Sequence, residues 1–316
     1  MQNSLFDFPQ IQIDKPIRLI ELFGGIGSQA MALRNIGADF EHYRLVEFDK
    51  YAVMSYNEIH STNFETTDIC DVHGADLGIV EKDKYCYILT YSFPCTDLSV
   101  AGLMKGMSKS DWEAGHSTHS GLLWEVERIL GELQKQDLPQ VLLMENVPQV
   151  HAEANKADFD NWLTFLRKRG YQNFYQDLNA RDYGIPQNRE RCFCVSILSD
   201  DFIDFEFPEP IKLEKVMKDY LEEFVDEKYY INNEKAEKLI QQLLKDGVIG
   251  TENREQRTEN REQRTENREQ RTELHTVDLC VKNPRAITVA NCIKARYDCG
   301  ISNLQADGSG VIEKYD

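Results

Sequence analysis

The first 200 residues predict an α/β fold built on a doubly wound, mostly parallel sheet with helices on both faces, followed by a partial, irregular C-terminal region. Three observations lead there. Apolar runs of strand length alternate with stretches of helical spacing, the pattern of a parallel sheet covered by helices. Two of the helical stretches close at a glycine, "SQAMALRNIG" at Gly37 and "FDNWLTFLRKRG" at Gly170. Finally, glycines, acids and a cysteine fall just past the apolar runs, where open α/β sheets bind ligands.

In order, "IRLIELF" (17–23) reads as a buried strand and "SQAMALRNIG" as the helix after it. "YRLVEF" (43–48) is a second strand, followed by the helix "DKYAVMSYNEIH". "YCYILTYSF" (85–93) is the third strand and "SGLLWEVERILGELQKQ" its helix. "QVLLMENV" (140–147) is a strand, "FDNWLTFLRKRG" a helix and "RCFCVSIL" (191–198) a strand. Beyond residue 200 the pattern weakens. "DFIDFEFPEP" is acidic, carries two prolines and reads as a linker, and "NNEKAEKLIQQLLKDG" reads as a short amphipathic helix. "TENREQR" then occurs three times, Thr251 to Arg271. Each unit is charge-neutral and has no apolar residue to form a coiled-coil seam. As a helix it would set Glu252 against Glu255 and Glu255 against Glu259, like charges at pairing distances. The repeat reads as a solvated insert, with a solvated helix as the alternative.

The chain has 316 residues, 41% of them hydrophobic, enough for one large α/β domain and a smaller lobe. No apolar run approaches the roughly 20 residues that span a membrane. The N-terminus lacks the basic start and apolar core of a signal peptide. A cytoplasmic protein with reduced thiols is expected. The eight cysteines do not pair as CxxC…CxxC; Cys192 and Cys194 share one strand face and read as packing, so no metal site is expected. A net charge of -18 argues against a broad nucleic-acid surface, though not against a narrow basic cleft.

"ELFGGIGSQAMAL" places Phe23, Gly24, Gly25 and Gly27 between the first strand and the first helix. Glycines there let backbone approach a ligand, and the helix N-terminus favours an anionic group. The spacing is GGxG, and such turns also occur for packing alone. Glu47 ends the next strand, where an acid can hold ribose hydroxyls, and Phe48 beside it can lie against an adenine. "TTDICDV" adds Asp68. Together these suit an adenosine ligand with a small charged tail and no pyrophosphate, so S-adenosylmethionine fits better than NAD.

"FPCTDLS" sets Cys95 behind Pro94 just beyond an apolar strand, where a substrate could reach it; a packing cysteine usually lies within the run, but position alone leaves that reading open as well. "LLMENVP" ends a strand with Glu145 and Asn146. A carboxylate is costly to bury there without a partner, and a desolvated carboxyl can donate a proton near neutral pH; a core-satisfying or capping acid is the alternative. "QNRER" places Arg189 and Arg191 two apart on an incoming strand, able to hold a phosphate or a ring carbonyl, or else simply a surface pair. Residues 100–120 carry Lys105, Lys109 and His116, with glycines at 102, 106 and 115 as hinges, and read as a closing loop or an ordinary surface loop.

The ordered set "LFGGIGS", "FPCTDLS", "MENV" and "QNRER" resembles the DNA cytosine-5 methyltransferases over residues 17–198. The resemblance implies a Rossmann-like methyltransferase core, S-adenosylmethionine as cofactor, and cytosine flipped out of double-stranded DNA as substrate, in a restriction-modification or phage-type system. It implies Cys95 as the nucleophile, Glu145 on the base, Arg189 and Arg191 as its cations, and Ser99 positioning the loop or a phosphate. It further assigns Asp68, Ile69, Pro94 and Leu123 to the cofactor pocket, and Asn146, Lys105 and Lys109 to the substrate.

The chain also departs from the family pattern. Neither of the family's closing motifs is found, and "ITVANCIKARYDCGISNLQADGSGVIEKYD" looks like the stretch that precedes them. The expected domains are an extension (1–16), a catalytic domain (17–200), a linker with a short helix (201–250), the repeat insert (251–273) and a partial target-recognition region (274–316). Alternatives are a truncated or silent protein, one half of a split enzyme whose second polypeptide carries the missing motifs, and a tRNA cytosine methyltransferase.

Overall fold

The structure is a computed structural model; it describes residues 12–98, 106–116, 118–222 and 233–245, with strand residues 271–278, 285–286, 290–291 and 309–315. It divides into two compact units, Met1–Leu178 with Glu190–Pro208, and Asn179–Arg189 with Glu209–Asp316.

The first unit holds a sheet of β1 (Ile17–Leu22), β2 (Phe40–Val46), β3 (Cys86–Tyr91), β4 (Val141–Asn146), β5 (Tyr171–Asn179) and, after the two-residue β6 (Gln187–Asn188), β7 (Glu190–Leu198). Their order is β2-β1-β3-β4-β7-β5. β1 runs parallel to β2 and β3, and β3 parallel to β4, while β7 is antiparallel to β4. The chain leaves β1 toward β2 on one side and returns to β3 on the other. The crevice at the carboxyl ends of β1 and β3 is therefore the switch point where such sheets take ligands. The glycine turn follows β1, and the Cys95 loop follows β3.

β3 is buried along its whole length, as its unbroken apolar run requires. The helices are α1 (Ser28–Asn35), α2 (Lys50–His60), α3 (Lys109–Glu113), α4 (Leu123–Glu132) and α5 (Lys156–Arg169). Asp49 caps α2 by accepting from the Tyr51 and Ala52 N–H groups. Gly170 closes α5 in the left-handed region, φ 101°. Trp162 on α5 is fully buried and donates its indole N–H to the Tyr91 hydroxyl, 3.1 Å away, tying the helix layer to β3.

The boundary expected at residue 200 differs in two ways. Residues 179–189 belong to the second unit, and the expected linker packs on the first as far as Pro208. The Ile203 N–H donates to Gln172 Oε1 (3.1 Å), and the Phe205 ring lies 5.3 Å from that of Phe174. Aromatic residues make that acidic stretch part of the core margin.

In the second unit are α6 (Asn233–Lys245), β8 (Arg271–Asp278), β9 (Arg285–Ala286), β10 (Ala290–Asn291) and β11 (Ser309–Tyr315). β8 pairs antiparallel with β11 and β9, and β10 pairs with β6. The TENREQR repeat lies outside the described residues except for Arg271, which opens β8, so the insert boundary expected at 273 falls inside a strand. Among the described residues no helix is long and apolar enough to cross a membrane.

Candidate active site

The turn after β1 is set by an unusual backbone. Phe23 takes a left-handed conformation (φ 56°), its N–H held by the Val46 carbonyl at 2.8 Å. Gly25 is also left-handed, and a Cβ built on it would meet no protein atom within 4 Å. This is the glycine over which a ligand can approach the backbone. Gly24 and Gly27 serve packing instead: a Cβ on Gly27 would lie 2.3 Å from His60 Nε2 and 2.6 Å from the Tyr56 ring. Glu47 locks the turn, accepting from the Gly25 N–H (2.9 Å) and the Asp49 N–H (2.8 Å). Phe48 is 75% exposed, an apolar ring presented to solvent beside that carboxylate. Asp68 accepts from the Cys70 N–H and caps the short turn Ile69–Asp71. Ile69 and Leu123, assigned to the cofactor pocket by the resemblance, are both buried in the main core.

The Cys95 loop is anchored carbonyl by carbonyl. Asn146 Nδ2 donates to the Phe93 carbonyl (3.0 Å), and Ser120 Oγ to that of Pro94 (2.7 Å). The Leu98 N–H donates to the Cys95 carbonyl, and the Gly106 N–H to that of Asp97, both at 3.0 Å. Buried Asp97 and Ser120 also bond reciprocally through backbone N–H and side chain at 3.3 Å. Of the five described cysteines, Cys86, Cys192 and Cys194 are buried. Cys70 is exposed, but its thiol is pushed up to about 11 by desolvation and by the Asp68 carboxylate. Cys95 is partly accessible, on a loop fixed from both sides.

Adjacent parallel strands bring Glu145 to this loop: Tyr91 pairs with Met144, so the ends of β3 and β4 are neighbours. Glu145 accepts from Arg191 Nε at 3.0 Å, with side-chain exposures of 21% and 18%. Arg189 was expected on the strand with Arg191, but β7 begins at Glu190, and Arg189 belongs to the second unit, its N–H bonded to Asn179 Oδ1. Asn146 was expected on the substrate, yet it is 2% exposed and both ends of its amide are used, Oδ1 accepting from the Val147 N–H at 2.8 Å. Lys109 was expected on DNA, but its Nζ bonds Glu127 Oε1 (2.5 Å) and sits over the Trp124 ring. Ser99 and Lys105 lie outside the described residues.

The family model of C-5 cytosine-specific DNA methylases matches residues 17–298. The chain belongs to that family. Similar curated relatives include the type II methyltransferase M2.ScrFI of Lactococcus lactis subsp. cremoris, 34% identical over 69% of this chain and 71% of its own length. The orphan methyltransferase M.SssI of Spiroplasma monobiae is 33% identical over 69% and 68%. Among solved structures, the Entamoeba histolytica methyltransferase EhMeth aligns at a TM-score of 0.54 with 18% identity, covering 75% of this chain and 68% of that one. S. pombe Dnmt2 methyltransferase aligns at 0.53 with 20% identity, covering 72% and 67%. At these identities the structures show the fold alone. Membership makes this chain a DNA (cytosine-5)-methyltransferase with S-adenosylmethionine as cofactor, and the open backbone at Gly25, the Glu47 carboxylate and exposed Phe48 fit an adenosine group.

This methylase also carries site-supporting residues that sequence reasoning missed. Glu21, within the apolar run of β1, is fully buried under the glycine turn. It accepts from the Tyr56 hydroxyl (2.5 Å), which in turn contacts His42 Nδ1 (2.7 Å). Burial pushes the Glu21 carboxyl up to about 7, the Tyr56 hydrogen bond opposing it. An acid inside "IRLIELF" was the available signal. On α1, Gln29 Nε2 donates to Ser92 Oγ at 3.1 Å, bridging the glycine turn's helix to the Cys95 loop. Nothing in the spacing marked Gln29, Asp97 or Ser120.

Proposed function

We propose that this methylase transfers a methyl group from S-adenosylmethionine to carbon 5 of cytosine in DNA through a covalent adduct on Cys95. The observation that carries the reading is the placement of Cys95: a partly accessible thiol whose neighbours Phe93, Pro94 and Asp97 are held by hydrogen bonds, beside the strand end that presents Glu145. Carbon 5 of cytosine is a poor nucleophile. Attack of the Cys95 thiolate on carbon 6 makes a sulfur–carbon bond and leaves an enamine, nucleophilic at carbon 5. Glu145 holds the ring nitrogen and exocyclic amine and stabilises the charge that develops there. Arg191, 3.0 Å from Glu145, orients that carboxylate. When bound, the cofactor supplies an electrophilic methyl on its sulfonium. Loss of the carbon 5 proton to a base then breaks the sulfur–carbon bond and frees Cys95. Glu47 holds the ribose and Phe48 covers the adenine. Because carbon 6 is inaccessible in a stacked duplex, the cytosine must be flipped out.

Several curated relatives are named type II or orphan methyltransferases, which supports a restriction-modification or phage-type methylation role. The Cys95→Ser variant tests the chemistry. It should bind cofactor as the parent does and form no 5-methylcytosine in duplex DNA, and turnover within tenfold of the parent would refute Cys95 as nucleophile.

A further inference from the structure

The sheet carries a second cluster on the face opposite Glu145. Residues paired across antiparallel strands share a face, and neighbours alternate. Glu145 pairs with Phe193 and Asn146 with Cys192, so Arg191 and Glu145 point one way and Cys192 the other. On that reverse side, His151 ends the turn Pro148–His151 that follows β4. Its Nε2 lies 2.9 and 3.0 Å from the two carboxylate oxygens of Asp177 on β5. With Cys192 Sγ they form a trio whose ligand atoms all lie within 4.8 Å of one another. The sulfur is buried, while His151 and Asp177 are each 29% exposed, leaving one open side.

We propose that His151, Asp177 and Cys192 form a binding site for a divalent ion of the zinc class, on the reverse face of the strand that carries Arg191. One thiolate, one imidazole and one carboxylate make a borderline-soft set that suits zinc, with water in the fourth position. Ligands at zinc bond lengths sit about 3–4 Å apart around a tetrahedron, so the trio needs only to tighten slightly. Without metal, burial and then the Asp177 charge push the Cys192 thiol up, and it stays protonated. With metal, the Cys192 proton leaves to solvent as the metal–sulfur bond forms, and the His151 Nε2 proton, donated to Asp177 in the metal-free site, is replaced by one on Nδ1 through solvent exchange, so that a neutral Nε2 binds the metal. No electrons are exchanged. The ion would tie the turn behind Glu145 to β5 and β7. The sequence expectation of packing then holds for Cys194, whereas Cys192 has two further ligands beside it.

This inference does not depend on the methylation chemistry. The 316-residue chain carrying Cys70→Ser and Cys95→Ser, which removes the two described thiols that solvent can reach, is titrated with cobalt(II) under a phosphine reductant. One equivalent should bind with a thiolate-to-cobalt charge-transfer band and the intense visible bands of a four-coordinate site, and zinc should displace it. Adding Cys192→Ser should abolish the charge-transfer band and weaken zinc binding by at least about 100-fold, more than loss of an outer partner usually costs. Adding Cys194→Ser should change neither. His151→Gln, at a partly exposed position, should fold and weaken binding likewise, and it decides alone if the Cys192 variant loses its circular-dichroism spectrum. Absence of the band, a band that survives Cys192→Ser, or full affinity in His151→Gln would overturn the site.

Discussion

Replacing Asn146 with alanine should loosen the Cys95 loop and lower the stability of the first unit. The side chain spans two strand ends, donating to the Phe93 carbonyl and accepting from the Val147 N–H. Its removal leaves two buried backbone groups without those partners. Each costs about 1–3 kcal/mol, and a water entering the vacated space recovers part of the sum, so a net loss of about 2–4 kcal/mol is expected. A domain of ordinary stability survives that loss. Trp112, Trp124 and Trp162 all lie in the first unit, so tryptophan fluorescence in urea reports on it directly. With a slope of about 3 kcal/mol/M the midpoint should fall by about 1 M. Methylation should slow while cofactor affinity holds. A midpoint shift below about 0.2 M together with lost DNA binding would refute the reasoning and return Asn146 to a direct contact with the base.

Glu21 should give stability a pH dependence. The unfolded carboxyl titrates at its ordinary 4.5 and the folded one near 7, so the folded state holds the proton between them. Its contribution is therefore fully present below about pH 4.5 and is lost as pH rises through 7, by on the order of 3 kcal/mol. The stability gap between parent and Glu21→Gln, read from urea unfolding, should shift by that amount between about pH 5 and 8.5; a constant gap would contradict the buried-acid account. Glu47→Ala frees the Gly25 N–H and removes the proposed ribose acceptor. Cofactor affinity measured by calorimetry should drop by about 1.5–3 kcal/mol, the worth of hydrogen bonds to a charged group, and an unchanged affinity would misplace the pocket.

The parts of the fold most legible in the sequence are the apolar central strands, of which β3 is buried along its whole length. β1, β3 and β4 are continuous apolar runs, and their residue ranges differ from expectation only at the ends. β5 was missed because "YQNFYQDLN" lies at the sheet edge, mostly half-exposed, and its mixed polarity follows that environment and hides the strand period. The proposed site rests on positions where residue type alone suggests chemistry, as at Cys95, Glu145 and Glu47. It was not legible where a polar side chain satisfies distant backbone. Asn146 sits two positions from Met144 and looks poised for substrate, but its partners come from a loop 53 residues away. Lys109 looks free in a list of basic residues and is bound to Glu127 on the next helix. Such pairings depend on topology, which local spacing does not encode.

The central claim is that Cys95 attacks carbon 6 of a flipped cytosine. Duplex DNA carrying 5-fluorocytosine at the target blocks loss of the carbon 5 substituent and holds the adduct. In the presence of S-adenosylmethionine the parent chain should form a protein–DNA species that survives denaturation. Proteolysis and mass spectrometry should map the modification to the peptide containing Cys95, and Cys95→Ser should form none. An adduct on any other residue, or active methylation with no trapped species, would contradict the account.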